Sequence, residues 1–254
     1  MLERGFDILI ALRDHPDGMV LKEIVQSTGL PFSTAHRLIK IVVDNGFAAF
    51  DKSTKRYTLG VRIFELANQV RSVRSFSQIS RPQMQKLADR TGETVQLAIL
   101  SDGSAMFLEK VGADRSITIR GSVGQREPLW ATSSGKVLLA SLDAVERDKL
   151  IDQLELTSHT EYTLTSKKKL LAAVENAERE GWAMADGEYD RDVRAIAVPI
   201  YNSEGRVVAA LNVAGPKFRL PHDLLQSWLP DLKETAHIIG VQLPASPIDL
   251  GTKI

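Results

Sequence analysis

The chain has 254 residues, 43% of them hydrophobic and 25% charged, and a formal net charge of zero. That is ordinary for a globular protein of one large or two ordinary domains. With no Cys, disulfides and thiolate metal sites are excluded, and no apolar run reaches the roughly 20 residues a membrane span needs.

Residues 3–13 are predicted as a first helix, with Phe6, Leu9, Ile10 and Arg13 at helical spacing. His15-Pro16-Asp17-Gly18 stops it. Leu21, Ile24 and Val25 share one face of a short helix, and Ser27-Thr28-Gly29-Leu30 supplies a tight turn. Pro31 opens a further helix that ends near Asn45-Gly46, with Ala35, Leu38 and Val42 facing inward. Two strands, 47–50 and 56–59, flank the polar turn 51–55. This is the pattern of a winged helix-turn-helix over residues 1–60.

Ile63, Leu66, Ala67 and Val70 form a stripe on a helix 61–74, read as a linker over residues 61–76 with a break at Ser75-Phe76-Ser77. A helix 78–89, with Pro82 near its start, opens a larger domain over 77–243. Strands are expected at 94–100, 105–111, 116–120, 182–184, 195–201 and 207–213. Helices are expected at 133–141, 144–153, 166–180 and 224–241, and the tail 244–254 reads as loose. There is no internal repeat. The fold class is α/β in the mixed, α+β sense.

Charge is unevenly placed. Residues 1–81 hold 12 Lys+Arg against 8 Asp+Glu, and the remainder holds 20 against 24. A basic front and an acidic back suit a chain whose first part meets phosphate, with a dimer needed for useful affinity. On the second helix of the motif, Ser33, Arg37, Lys40 and Asp44 fall opposite the apolar side, with His36 beside them. Such a helix fits a major groove, where Arg37 can grip a guanine bidentately and His36 can donate or accept. Ser33 and Thr34 suit a phosphate at the helix N-terminus, and Lys52, Lys55 and Arg56 in the wing would neutralise others.

At these residues the chain resembles the IclR-type transcriptional regulators. Gly29-Leu30-Pro31, Ser33-Thr34, Arg37-Leu38, Gly46-Phe47 and Arg56-Tyr57-x-Leu59-Gly60 are similar to that family's N-terminal signature. Val123-Gly124, Pro128-Leu129, Thr132-Ser133-Ser134-Gly135-Lys136, Glu180-Gly181-Trp182, the run from Arg194 to Ile200 and Ala210-Leu211-Asn212-Val213 are similar to its effector domain. The resemblance implies a winged helix-turn-helix joined by a linker helix to a GAF-like α/β domain. It also implies homodimers, often paired as homotetramers, that bind operator DNA and a small organic acid without a cofactor. The signal-peptide pattern is missing after Met1, and a cytoplasmic regulator, repressor or activator, is the expectation.

The second domain offers an anion site from its residues alone. At Thr132-Ser133-Ser134-Gly135-Lys136 hydroxyls and free N–H groups converge on a helix start, and a carboxylate would fit there; plain helix capping is the bland alternative. The family resemblance extends this site to Gly124, Ser133, Ser134 and Gly135 in the helix-start loop, Asp186 or a near neighbour, and Ala195 and Asn212 on strands. A glyoxylate-type sensor of the family tends to have Cys at the position of Ala195 and Ser at those of Asn212 and Ala214. The residues here imply a roomier, less polar pocket for a larger acid, aromatic or sugar-derived, with Met106, Leu129 and Trp130 as a candidate apolar wall.

Two other readings stand beside this one. Ser133-x-x-Lys136 matches a serine–lysine nucleophile pattern, but no Ser-Asp-Asn or Lys-Thr-Gly partner follows, so a small-acid enzyme is the lesser alternative. The five His have no metal-ligand spacing, and Asp186, Glu188, Asp190 and Asp192 lack the EF-hand order, so no metal is expected. A DNA binder whose second domain senses nothing is the other alternative.

Overall fold

The computed structural model describes residues 2–243 except 68, 70, 113, 114, 116 and 120; of residues 71–75 it describes the backbone. The expected tail 244–254 lies outside the described residues. The chain divides into two compact units, Met1–Arg74 and Ser75–Ile254.

In the first unit, α1 (Leu2–Arg13), α2 (Leu21–Thr28) and α3 (Phe32–Asp44) are followed by the hairpin β1 (Ala48–Asp51) and β2 (Arg56–Leu59) and by α4 (Val61–Ala67). Ile8 and Leu12 of α1, Ile24 of α2, and Ala35, Leu38 and Ile39 of α3 build its core. Phe6 and Ile10, two of the residues at helical spacing, are about half exposed. The helix is turned so that Ile8, Ala11 and Leu12 pack instead. Gly29 ends α2 in the left-handed region at φ 66°, which turns the chain into α3. Met19 and Tyr57 exchange backbone hydrogen bonds of 2.9 and 2.8 Å, tying the wing to the segment before α2.

The expected break at Ser75-Phe76-Ser77 is absent: α5 runs unbroken from Arg71 to Thr91. Phe76 is buried and holds the helix at the point where the two serines suggested it would end. Pro82 therefore lies inside α5 rather than near a start. It is tolerated because Pro82 and Gln78, whose carbonyl loses its helical donor, both face solvent.

The second unit is built on a six-stranded antiparallel sheet of order β5-β4-β3-β8-β7-β6. Its strands are β3 (Thr94–Ser101), β4 (Ser104–Val111), β5 (Arg126–Pro128), β6 (Ala183–Asp186), β7 (Val193–Tyr201) and β8 (Val207–Pro216). Of the strand expected at 116–120, Ile117, Thr118 and Ile119 are irregular, and its two ends lie outside the described residues. The edge position is taken by β5, which sequence periodicity did not reveal because three residues carry no period.

Helices α6 (Ser133–Ala140), α7 (Ala144–Gln153) and α8 (Lys167–Glu180) cover one side of the sheet, where Ala98, Phe107, Ala197 and Ala210 meet Val137, Leu138 and Leu139. The expected closing helix 224–241 is two, α9 (His222–Ser227) and α10 (Leu229–Val241), parted at Trp228. Pro230 stands in the first turn of α10, where its missing N–H costs nothing; inside a continuous helix it would break a hydrogen bond. By the pleat, Ile200 lies on the side of the sheet opposite Ala197, and α10 packs there, with Gly240 against Ile200 and the carbonyl of Tyr201. No described helix is long and apolar enough to cross a membrane.

Candidate functional site

The first candidate surface is the outer side of α3. Ser33, His36, Arg37 and Lys40 are exposed and Thr34 is half-buried, while Ala35, Leu38 and Ile39 on the other side are buried. A 3.6-residue period gives this division, and the buried side anchors the helix so that the polar side is presented. Phe32, beside Pro31 at the helix start, is also exposed. In the wing Lys52 and Lys55 are exposed. Asp51 organises the turn between them, accepting hydrogen bonds from the Ser53 N–H and hydroxyl at 2.7 and 2.6 Å and from the Thr54 hydroxyl at 2.9 Å. Those bonds, led by the Ser53 hydroxyl, lower its pKa to about 2.

Arg56 does not join the exposed cations. Its guanidinium donates to the Gly18 carbonyl at 2.5 Å and reaches Glu23 at 3.4 Å. Glu23 in turn accepts from the Val20 N–H at 2.9 Å, at the start of α2. Arg56 is thus a strut between the wing and the helix-turn-helix rather than a free phosphate ligand.

The second candidate is a cavity of about 260 Å³ in the second unit. Strand register builds its floor. Ala185, Ala195 and Ala214 are neighbours across β6, β7 and β8, and the adjacent row sets Ala197, Asn212 and Gln96 across β7, β8 and β3. Three methyl side chains in a row leave room that larger residues would fill. The start of α6 supplies one wall through Ala131, Thr132 and Ser133. The loop after β6 supplies another through Glu188, Tyr189 and Asp190. That loop is held by Thr160 and Thr163, whose hydroxyls donate to the Gly187 and Glu188 carbonyls at 2.6 Å each. An edge-on contact between His159 and Tyr189, with ring centroids 4.9 Å apart, steadies it further.

The expected site residues are distributed unevenly about this cavity. Ser133, Ala195 and Asn212 line it. Ser134 stands behind the wall, accepting a hydrogen bond from the Asn212 amide at 2.8 Å. Gly135 does not admit a ligand: a Cβ there would lie 2.3 Å from the Leu129 carbonyl oxygen, so its smallness serves the chain's own close packing. Thr132 lines the cavity and also caps α6, its hydroxyl accepting from the Gly135 N–H at 3.1 Å.

Gly124 is in an exposed turn at φ 85°, its N–H donating to the Phe107 carbonyl, and its neighbour Gln125 lines the cavity instead. Asp186 is turned away into an ion cluster with Arg194 at 2.9 Å, Lys217 at 2.8 Å and His222 at 2.7 Å. Burial works against its charge, but those three partners hold its carboxyl below the usual carboxylate range. Met106, Leu129 and Trp130 are not in the lining. Leu129 is core, and Trp130 packs toward His159.

The cavity is more polar than the residues at 195 and 214 suggested. Gln96, Gln125 and Glu127, none of them anticipated, line it together with Glu188, a near neighbour of the expected Asp186. Their one legible signal was strand alternation, which sets Gln96 inward beside Asn212. Burial raises the Glu127 carboxyl to a pKa of about 7, against a smaller opposing pull from Lys110. Beneath the wall, Lys136 Nζ pairs with Glu188 at 2.6 Å and donates to the Met184 carbonyl at 2.9 Å, with both side chains largely out of water. Burial lowers the Lys136 pKa and Glu188 opposes that shift. Lys136 is thereby committed to Glu188, and the Ser133 hydroxyl has no hydrogen-bond partner among the described residues. The serine–lysine nucleophile pair is not assembled. No group of three or more His, Asp or Glu among the described residues is placed to hold a metal.

Residues 68–241 match the model of the bacterial transcriptional regulator IclR C-terminal domain, and residues 1–52 match that of the IclR helix-turn-helix domain. The HTH-type transcriptional regulator XynR of Escherichia coli is 30% identical over 213 residues, covering 84% of each chain. KdgR of the same organism is 28% identical, covering 94% of this chain and 90% of its own. Among solved structures, an IclR homolog from Microbacterium hydrocarbonoxydans complexed with 4-hydroxybenzoate superposes with a TM-score of 0.83 at 29% identity, covering 96% of this chain and 99% of its own. The Thermotoga maritima IclR gives 0.71 at 26% identity, covering 94% and 96%.

Proposed function

The chain belongs to the IclR family of bacterial transcriptional regulators and is a DNA-binding regulator of that family, and from this premise we propose that the cavity between α6 and the sheet takes a small organic acid that controls operator binding. The observation that carries the effector reading is the Ser133 hydroxyl, buried at the start of α6 without a partner among the described residues and lining the cavity. The N–H groups of a helix's first turn and the helix dipole favour a carboxylate beside it. The Microbacterium relative, with 4-hydroxybenzoate bound, supports an organic acid as the ligand class.

On the DNA side, Ser33, Thr34, His36, Arg37 and Lys40 read the operator, with Lys52 and Lys55 on flanking phosphates. Residues 1–60 act as the reading domain, 61–76 as the linker and 77–243 as the effector domain. The working form is a cytoplasmic homodimer, or a pair of dimers, on a near-palindrome. No catalysis is assigned, since the unassembled Ser133 and Lys136 give it no support.

Fluorescence anisotropy with the DNA upstream of its own gene, across a salt series, tests the DNA contacts. Affinity that falls steeply with salt is expected, and affinity indifferent to salt overturns phosphate neutralisation. A thermal-shift panel of organic acids tests the effector reading. A ligand of the native state must raise the melting temperature, and a flat panel leaves a regulator that senses nothing.

A further inference from the structure

The polar atoms of the cavity say more about its ligand than its acid class, and this step rests on the effector reading above. Gln96 Nε2, Ser133 Oγ, Glu188 Oε2 and Asn212 Oδ1 are each buried without a hydrogen-bond partner among the described residues. All four residues line the one cavity. They come from β3, α6, the loop after β6 and β8, so four separate elements bring unmet polar atoms to a single space.

Their chemistry is mixed. The Gln96 amide nitrogen only donates, the Glu188 and Asn212 oxygens only accept, and the Ser133 hydroxyl does both. A carboxylate can serve Ser133 and Gln96, but it has no proton to give Glu188 or Asn212. A group that accepts from one side and donates to the other is a hydroxyl, and several hydroxyls are needed to serve atoms spread over four elements.

The charge on Glu188 does not bar an anion. Its other oxygen is 2.6 Å from Lys136 Nζ, and that lysine side chain is only 5% exposed, so the pair meets the cavity as a neutral unit with one acceptor to spare. The floor opposite is the row of methyl groups from Ala185, Ala195 and Ala214, which suits the C–H side of an aliphatic chain.

We propose that the effector is a polyhydroxylated carboxylic acid, its carboxylate at Ser133 and its hydroxyls read by Gln96, Asn212 and the Lys136–Glu188 pair.

Calorimetric titration of the full chain tests this with D-gluconate, D-galactonate and D-mannonate against hexanoate, which keeps the carboxylate and chain length but has no hydroxyls, and against 4-hydroxybenzoate. The tightest of the three sugar acids is expected to bind at least tenfold more tightly than hexanoate and 4-hydroxybenzoate. In Gln96→Met, which removes a donor with no partner among the described residues, the affinity ratio of that sugar acid to hexanoate is expected to fall at least tenfold. Asn212→Ala should do the same, with the melting temperature of each unliganded variant as the check on folding.

Hexanoate or 4-hydroxybenzoate binding as tightly as the best sugar acid overturns the polyol reading while the organic-acid reading stands. Sugar-acid selectivity that survives both substitutions overturns the assigned subsite. No heat with any of the five acids overturns this proposal and the effector reading together.

Discussion

Arg37 and Arg56 carry the same charge in the same unit and do different work. Arg37 is exposed on the outer side of α3, while Arg56 is tied to the Gly18 carbonyl and Glu23. Arg37→Ala is expected to cost about 1–3 kcal/mol of operator affinity and to relax one base position, read by anisotropy on single-base variants of the operator. Arg56→Ala should instead lower the melting temperature, by the equivalent of about 1 kcal/mol for a lost hydrogen bond, because what it holds is the wing. Glu127 supplies a pH test. Its native pKa of about 7 lies above its ordinary 4.5, so the native state binds this proton more tightly than the unfolded chain does. Stability therefore falls as pH rises between those two values. Glu127→Gln should raise the melting temperature at pH 8, and the gain should vanish toward pH 5, where the wild-type carboxyl is already neutral. A gain that is constant across pH would mean that Glu127 is not the titrating group.

Helix α6 shows what an element contributes beyond its residues. Thr132 caps it, and Gly135 lets it lie against the backbone of Leu129. Gly135→Ala puts a Cβ 2.3 Å from a carbonyl oxygen that cannot move cheaply. A loss of about 1–3 kcal/mol is expected from such overpacking, measured by denaturant unfolding. The cavity should suffer too, since the same shift displaces Ser133. This start of α6 was legible in the sequence because hydroxyl residues ahead of an apolar run mark a helix N-terminus. So were α2, the turn at Gly29, α3 and the wing, where capping, period and turn residues agree. What escaped was settled by tertiary contact. Buried Phe76 carries α5 through a serine pair, Pro230 splits the last helix, and β5 is too short to show a period. The site followed the same division. Ser133 was legible in the hydroxyl-rich helix start, and Asn212 and the neighbourhood of Asp186, where Glu188 lies, in the motif resemblance, while Gln96 and Glu127 depend on a strand register that no local pattern encodes.

At the scale of the whole molecule, regulation is a matter of free energy between two sites. In the proposed dimer, half-sites about 34–36 Å apart would engage two copies of α3 at once. Each effector can tilt that engagement only by its difference in affinity between the operator-competent arrangement and the other. Couplings of this kind are typically about 1–3 kcal/mol, a factor of roughly 5–150 in affinity. Linkage makes the effect reciprocal, so operator DNA must change effector affinity by the same factor and in the same direction that effector changes operator affinity. The expected outcome is measurable with one acid that binds. Calorimetry gives its affinity with and without saturating operator, and anisotropy gives operator affinity with and without saturating acid. The two ratios should agree. Ratios of one in both experiments would mean that the acid occupies its cavity without regulating. Unequal ratios would mean that a further equilibrium, such as dimers pairing into tetramers, is linked to only one of the two titrations, and varying the protein concentration would then bring the ratios together or drive them apart.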